Sequence, residues 1–190
     1  MSAESGLDFG KLGKSIGDVF IGLSGEYPAI LKGILVVLAA IGVFIAVSAV
    51  FDIIKLGNRS GANNLPGSTI AWKFIAGASL IDLSFWTGVW AASLWGLSNP
   101  MDISQYAASA GEDYTKTAIM AVLGFLVLVG YVTLGRAYIM TSQLGYLSPE
   151  SRSSLIGSII ARLVSGSALV AAMHISKALD NSTGFNWIPQ

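Results

Sequence analysis

The sequence contains no cysteine, one histidine and few charged residues. Without cysteine the chain has no disulfide, no thiolate chemistry and none of the usual cysteine-based zinc sites. A single histidine argues against a catalytic histidine or a histidine-based metal cluster. Charged residues make up 12% of the chain and hydrophobic residues 53%, whereas soluble domains contain about 25% charged residues. This composition predicts an integral membrane protein whose first partner is the lipid bilayer.

The charges that are present cancel, and they form no recognisable chemical motif. Lys plus Arg and Asp plus Glu each number 11, and no basic run is present, so we expect no nucleic-acid binding. The sequence has no nucleophile elbow, phosphate-binding glycine loop, metal-ligand spacing or paired carboxylates. These absences predict a non-enzymatic protein with no catalytic residues, cofactor or bound metal.

Long apolar segments are the main feature of the sequence. A transmembrane helix needs about 20 mainly apolar residues, and four segments qualify, at 33–51, 70–97, 117–135 and 158–179. Short loops rich in Gly, Asn, Ser and Pro follow the first and third segments. We therefore predict an all-α integral membrane protein with four transmembrane helices, arranged as two parallel-repeat helical hairpins.

The pattern divides the chain into five regions. Apolar residues spaced by three and four positions near the N-terminus predict a short amphipathic helix on the membrane surface, with a flexible tail as the alternative. The predicted regions are the amphipathic segment 1–27, the first transmembrane hairpin 28–97, an exposed acidic loop 98–116, the second hairpin 117–180 and a C-terminal tail 181–190.

The two predicted hairpins resemble each other in sequence. The stretch KFIAGASLID, residues 73–82, aligns with RLVSGSALVA, residues 162–171, and Gly42 recurs as Gly130. The offset is 89 positions for the first match and 88 for the second. Internal duplication of a hairpin explains the pattern, while coincidence is the alternative because small residues are common in membrane helices. Each repeat holds an even number of spans, so the two copies would run parallel.

Small residues recur at helical spacing within these spans. Small faces allow helix backbones to approach closely in lipid, where no hydrophobic force draws helices together. We interpret them as helix-packing or oligomer-interface residues, with packing inside the bundle and packing onto other subunits as the two alternatives. The predicted interface residues are Gly42, Ala46, Gly77, Ser84, Gly88, Ala92, Gly157, Ala161, Ser165 and Gly166.

Five charged or titratable residues lie within or beside the predicted spans, namely Lys73, Asp82, Arg136, Arg162 and His174. Asp82 is expected near the bilayer centre, where an ionised carboxylate needs a partner. It is either a hydrogen-bonded structural residue or a residue for ion conduction or assembly. The cations cluster at the two hairpin tips, which predicts cytoplasmic tips, with the acidic loop and both termini outside.

Several short stretches carry a resemblance to a known family. They are RAYIM at the end of the third span, SGSALVAAMHISKALDNSTGFN near the C-terminus and DISQY in the middle loop. With the four-span layout, they resemble the IcmC (DotE) proteins of Dot/Icm type IVB secretion systems and the related TraQ proteins of I-type conjugative plasmids. The resemblance covers residues 28–186.

The resemblance implies a non-enzymatic inner-membrane subunit of a secretion or conjugation apparatus. Its expected partners are further copies of itself and other membrane subunits of the system, with bound phospholipid as an additional partner. In hydropathy alone, each half also resembles a conjugative pilin, which is two apolar helices joined by a cationic loop. The alternative function is a small oligomeric transporter or channel that uses Asp82 for ions or protons.

Overall fold

The computed structural model describes residues 9–57, 67–97, 103–106 and 113–184, and this part of the chain is helical without any strand. The all-α prediction is therefore confirmed. In chain order the helices are α1 (Phe9–Ser24), α2 (Tyr27–Gly57), α3 (Gly67–Ile81), α4 (Leu83–Trp95), a short 3₁₀ helix (Ile103–Tyr106), α5 (Tyr114–Thr141), α6 (Pro149–Val170) and α7 (Ala172–Thr183).

Three of these helices, α2, α5 and α6, are long and apolar enough to cross a membrane, and α3 with α4 would make a fourth only as a bent pair. A membrane protein with several apolar helices is thus supported. The 16-residue helix α1 forms where the three-and-four spacing predicts a helix. It packs along α5, where the Phe20 and Phe125 rings meet edge to face with centroids 5.3 Å apart.

The first half of the chain is organised by a close backbone contact between α2 and α3. A Cβ atom placed on Gly42 would lie 2.8 Å from the carbonyl oxygen of Gly77 and 3.1 Å from the amide nitrogen of Ile81. No side chain larger than hydrogen fits there without moving one helix. The two glycines therefore bring the backbones of α2 and α3 together, as small residues do in membrane helix pairs.

The second half contains the same contact at the repeated positions. A Cβ on Gly130 of α5 would lie 2.9 Å from the carbonyl oxygen of Gly166 and 3.0 Å from the amide nitrogen of Val170 on α6. Gly130, Gly166 and Val170 are the repeat counterparts of Gly42, Gly77 and Ile81 at offsets of 88, 89 and 89. The repeated sequence thus specifies one helix-pair geometry twice.

The predicted span 70–97 does not form one continuous helix, because the helix breaks at Asp82. Helices α3 and α4 meet there at an angle of 92°, and Asp82 adopts a non-helical conformation with φ −117° and ψ 56°. The second half has a break at the counterpart position, Ala171, between α6 and α7. The break is therefore a shared feature of the two repeats.

The predicted fourth span 158–179 is also displaced from the helix that forms. Helix α6 begins nine residues earlier, at Pro149, and ends at Val170. Its start is fixed by Ser148, whose side chain accepts a hydrogen bond from the amide of Ser151, and by a proline in the first turn, where its missing N–H costs nothing. Glu150 and Arg152 lie in the first turns of α6, so a search for mainly apolar windows starts too late.

Helix α5 lies at the centre and supplies more of the main core than any other described helix. Of the three long apolar helices it is the most buried, with 56% of its apolar window inside the protein, against 17% for α2 and 22% for α6. Tyr106 of the 3₁₀ helix packs onto Gly124 of α5, and burial raises the pKa of the Tyr106 phenol to about 12. The main core consists of Tyr27, Leu38, Leu80, Leu83, Ile103, Tyr106, Met120, Leu123, Val127, Leu128, Tyr131, Leu134, Tyr138, Val170 and Met173.

Candidate functional site

The structure pairs Lys73 of α3 with Asp52 of α2. The Lys73 Nζ lies 2.5 Å from Asp52 Oδ2, and the two side chains are only 12% and 9% exposed. Asp52 lies five residues before the end of α2, and Lys73 lies in the second turn of α3. The pair thus crosses the helix pair of the first half near its tip, where neither charge is left alone in an apolar setting.

Tyr146, in the turn between α5 and α6, joins this ion pair from the second half. Its hydroxyl donates a hydrogen bond of 3.2 Å to Asp52 Oδ2, and its ring centroid lies 4.9 Å from Lys73 Nζ. The aromatic ring therefore offers the ammonium a cation–π contact, while the hydroxyl occupies a second acceptor site on the carboxylate. We call Asp52, Lys73 and Tyr146 the tip cluster.

A second contact fixes the tip cluster beside the α5–α6 turn. The Thr69 hydroxyl donates a 2.9 Å hydrogen bond to the carbonyl oxygen of Gly145. A Cβ on Gly145 would lie 2.2 Å from the Thr69 Cα, so only glycine allows the turn to approach α3 this closely. Tyr146 follows directly in the chain and is thereby brought to the ion pair.

The counterpart cation in the second half has no such cluster. Arg162 occupies the repeat position of Lys73, and its guanidinium donates to the hydroxyl and the carbonyl oxygen of Ser158, four residues earlier on the same helix. Met140 stands at the position that corresponds to Asp52. Within the described part of the chain, an ion pair between helices therefore occurs in the first half alone.

Asp82 lies at the helix break and is exposed. Its Oδ1 accepts hydrogen bonds of 3.3 Å from the Phe85 amide and the Ser84 hydroxyl, so it caps the N-terminus of α4. An acceptor at this position satisfies an amide that the helix itself leaves unpaired. Its repeat counterpart, Ala171, makes no side-chain cap for α7. The aspartate of the first copy thus caps its chain break, whereas the break of the second copy has no side-chain cap.

The other predicted site residues fall into two groups. Gly42, Ala46, Gly77 and Gly166 lie in the close helix contacts described above. The second group lies on surfaces that the described part of the chain does not cover: Gly88 is half-buried, and a Cβ placed on it would meet no atom within 4 Å, while Ser84, Ala92, Gly157, Ala161 and Ser165 are exposed.

The remaining charged residues lie apart from the tip cluster. Arg136 is exposed on α5, and His174 is exposed on α7. Groups of three or more His, Cys, Asp or Glu residues that could hold a metal ion do not occur among the described residues. The contacts seen at the tip cluster are ion pairing and hydrogen bonding between elements of the two halves.

Sequence reasoning missed Asp52 and Tyr146. Asp52 directly follows the charge-free window 33–51. The prediction therefore assigns its carboxylate to the loop and not to the span. A usable signal was present, because α2 and α3 are antiparallel and a carboxylate near the end of one helix comes level with a cation near the start of the next. The three members come from different elements, and Tyr146 is 94 residues from Asp52.

No protein-family model, no curated protein and no solved structure matches this chain.

Proposed function

We propose that this protein is a non-enzymatic, self-associating inner-membrane subunit of a type IVB secretion or conjugation apparatus, contributing to the transfer channel or to pilus assembly. All four long segments would span the membrane as two parallel hairpins, with the bent α3–α4 pair as one span. The proposal takes the apparatus from the family resemblance in RAYIM, DISQY and the C-terminal stretch. Other subunits of the same system, and bound phospholipid, are the partners it implies.

The observation that carries the structural part of this proposal is the repeated glycine contact. Two helix pairs share one geometry, and the described residues leave much of their small-residue surface uncovered. Such surfaces suit an assembly component because close helix packing between copies needs small side chains. The tip cluster contributes rigidity between the halves, and its charges already satisfy each other.

Deleting the gene from a cell that carries the secretion system tests the proposal. We expect transfer of substrate to recipient cells to fall at least about 100-fold, and a plasmid-borne copy to restore it. A tagged copy should also co-purify with other membrane subunits after mild solubilisation. Unchanged transfer, together with recovery of the tagged protein alone, would overturn the secretion assignment.

A transporter or channel is the second candidate, and the helix break at Asp82 favours it. Discontinuous membrane helices with free half-helix ends form ion and substrate sites in many transporters, and α3 and α4 meet at 92° beside an exposed carboxylate. Asp82→Asn removes the charge but keeps a capping side chain. Loss of ion flux in vesicles containing the purified protein, with assembly intact, would favour this function; unchanged flux would exclude a role for the Asp82 charge.

A further inference from the structure

Arg136 and Arg162 lie at the same height on the α5–α6 pair. Gly130 of α5 faces both Gly166 and Val170 of α6, so it lies level with the middle of the stretch between them. A short turn joins the two helices, which are therefore antiparallel. Counted from the level of Gly130 toward the tip cluster, Arg136 is six residues along α5 and Arg162 is six residues along α6.

The two arginines also lie on the same side of this helix pair. The opposite side is covered by α4, where Tyr138 and Ser167 accept hydrogen bonds from the indoles of two α4 tryptophans. At about 100° per residue, Arg136 is turned about 200° from Tyr138, and Arg162 about 140° from Ser167. Both arginines therefore lie on the side that faces away from α4, where Arg136 is exposed and Arg162 is half-buried.

Neither arginine has a carboxylate partner in the described part of the chain. Both hydrogen bonds of Arg162 come from one nitrogen, Nη1, and end on Ser158 of its own helix. The other nitrogens of Arg162, and the whole guanidinium of Arg136, have no polar partner among the described residues. A guanidinium offers five N–H donors in a planar fork that matches a carboxylate. Two such forks at one height form an unfilled anion site.

If α2, α5 and α6 cross the bilayer as proposed, this anion site lies inside the apolar layer and not at its surface. Gly135, the neighbour of Arg136, packs against Leu38, which lies within the charge-free segment 33–51 of α2. On α6, Arg162 lies about 20 Å from Pro149 at the helix start, at 1.5 Å per residue. A charge at this depth is costly without a partner. Because lipid phosphates stay in the headgroup layer, the anion that can reach the site belongs to another membrane helix.

The surface around the arginines is suited to helix packing. On α6, Arg162 is surrounded by Ser158, which is half-buried, and by Ala161 and Ser165, which are exposed. Small side chains let a second helix approach closely in lipid, which brings a short acidic side chain within reach of both guanidiniums. On α5, one turn before Arg136, Val132 is 42% exposed and offers the same helix an apolar contact.

We propose that the face of α5 and α6 around Arg136 and Arg162 binds a membrane helix of another subunit, and that an aspartate or glutamate within that helix fills the anion site. The two carboxylate oxygens can accept from both guanidiniums. Asp82 of a second copy is not the expected partner, because it already accepts two hydrogen bonds as the cap of α4. The inference rests on the proposed function only for the presence of other membrane subunits, since a preference for an acidic helix does not depend on the secretion assignment.

A synthetic transmembrane peptide tests this preference without the rest of the apparatus. The probe is a Leu/Ala helix of about 20 residues with one central Asp, and the matched probe carries Asn instead. The full chain with Asn181→Cys, labelled at that exposed position, is placed in phosphatidylcholine vesicles, and energy transfer to the labelled peptide measures binding. We expect the Asp peptide to bind at least about ten times more tightly than the Asn peptide, because only the Asp peptide forms charge-assisted hydrogen bonds with the arginines.

Variants of the chain assign the preference to the two arginines. Arg136→Met/Arg162→Met should lower the affinity for the Asp peptide to the affinity for the Asn peptide. Lys32→Met, which removes an exposed cation of α2, is the matched control and should leave both affinities unchanged. Circular dichroism in the same vesicles checks that each variant keeps its helices.

Three results would overturn the proposal. The first is equal binding of the two peptides, or an Asp preference that survives the loss of both arginines. The second is phosphatidylglycerol that co-purifies with the natural chain and not with the double variant, which would place a lipid phosphate in the site. The third is energy transfer between two labelled copies that is lost in the double variant and in Asp82→Asn, which would make a second copy the partner. None of these measurements uses substrate transfer, so a failure here leaves the secretion assignment to its own test.

Discussion

The two halves of the molecule share a backbone contact but differ in their polar groups. Gly42 with Gly77 and Gly130 with Gly166 hold their helix pairs at the same distance. In contrast, Lys73 has a carboxylate partner on the neighbouring helix, whereas the bonds of Arg162 to described residues stay within its own helix. Close backbone packing therefore specifies the helix pair, while ion pairing and capping are additions seen among the described residues of one half and not of the other.

Breaking the ion pair should give the largest difference between the halves. Removing one partner of a buried pair leaves an uncompensated charge and costs about 3–5 kcal/mol. We expect Lys73→Met to lower the unfolding free energy by that amount, because Asp52 is only 6% exposed. Arg162→Met, the matched change in the second half, should cost less than about 1 kcal/mol. Unfolding in mixed micelles, followed by tryptophan fluorescence, measures both.

The double variant Asp52→Leu/Lys73→Met is the control for this prediction. Replacing both charges by apolar groups removes the unpaired carboxylate, so most of the stability should return. Equal losses for Lys73→Met and Arg162→Met would contradict the asymmetry between the halves.

Substituting the paired glycines should give intermediate effects that are the same in both halves. Gly42→Ala and Gly130→Ala each place a Cβ within 3 Å of a backbone oxygen on the facing helix. Overpacking of this kind typically costs about 1–3 kcal/mol, and we expect both variants to lose stability in that range in the same unfolding assay.

Gly33→Ala is the matched control, because Gly33 lies on α2 with no atom within 4 Å of its Cβ position. Alanine is the better helix former, so this variant should be unchanged or more stable by up to about 1 kcal/mol. A loss at Gly42 without a loss at Gly130 would show that the two contacts are not energetically equivalent.

Removing the cap at the helix break should have the smallest effect, and only in the first half. Asp82→Ala deletes the acceptor for the Phe85 amide, and loss of such a cap costs about 1 kcal/mol. Asp82→Asn should lie within a few tenths of a kcal/mol of the natural chain, since both residues cap well. If the asparagine variant is as unstable as the alanine variant, the charge of Asp82, not its cap, is what stabilises α4.

The residue pattern was sufficient to predict the features that depend on local chemistry. Apolar length predicts helices that can span a membrane, and small-residue spacing points to Gly42 and Gly77, which lie in the tightest contact of the first half. These features follow from the identity of one residue and its near neighbours along a helix. The all-α class follows from the same information.

The features that depend on distant parts of the chain were not predictable in this way. Asp82 falls within a long apolar run, and hydropathy alone cannot distinguish a midspan carboxylate from a cap at a 92° break. The predicted start of the fourth span is nine residues late because the first turns of α6 are charged. Tyr146 reaches Asp52 only through the docking of the α5–α6 turn on α3, which no local pattern encodes.

The tip cluster also has a consequence for how the chain enters the bilayer during synthesis. Asp52 and Lys73 are 21 residues apart, so they can neutralise each other while the second half is still being made. The two charges can therefore enter lipid as a balanced pair, which lowers the cost of burying either one. Tyr146 is synthesised only after α5 is complete, and its hydroxyl can then bond Asp52 and connect the two halves of the chain.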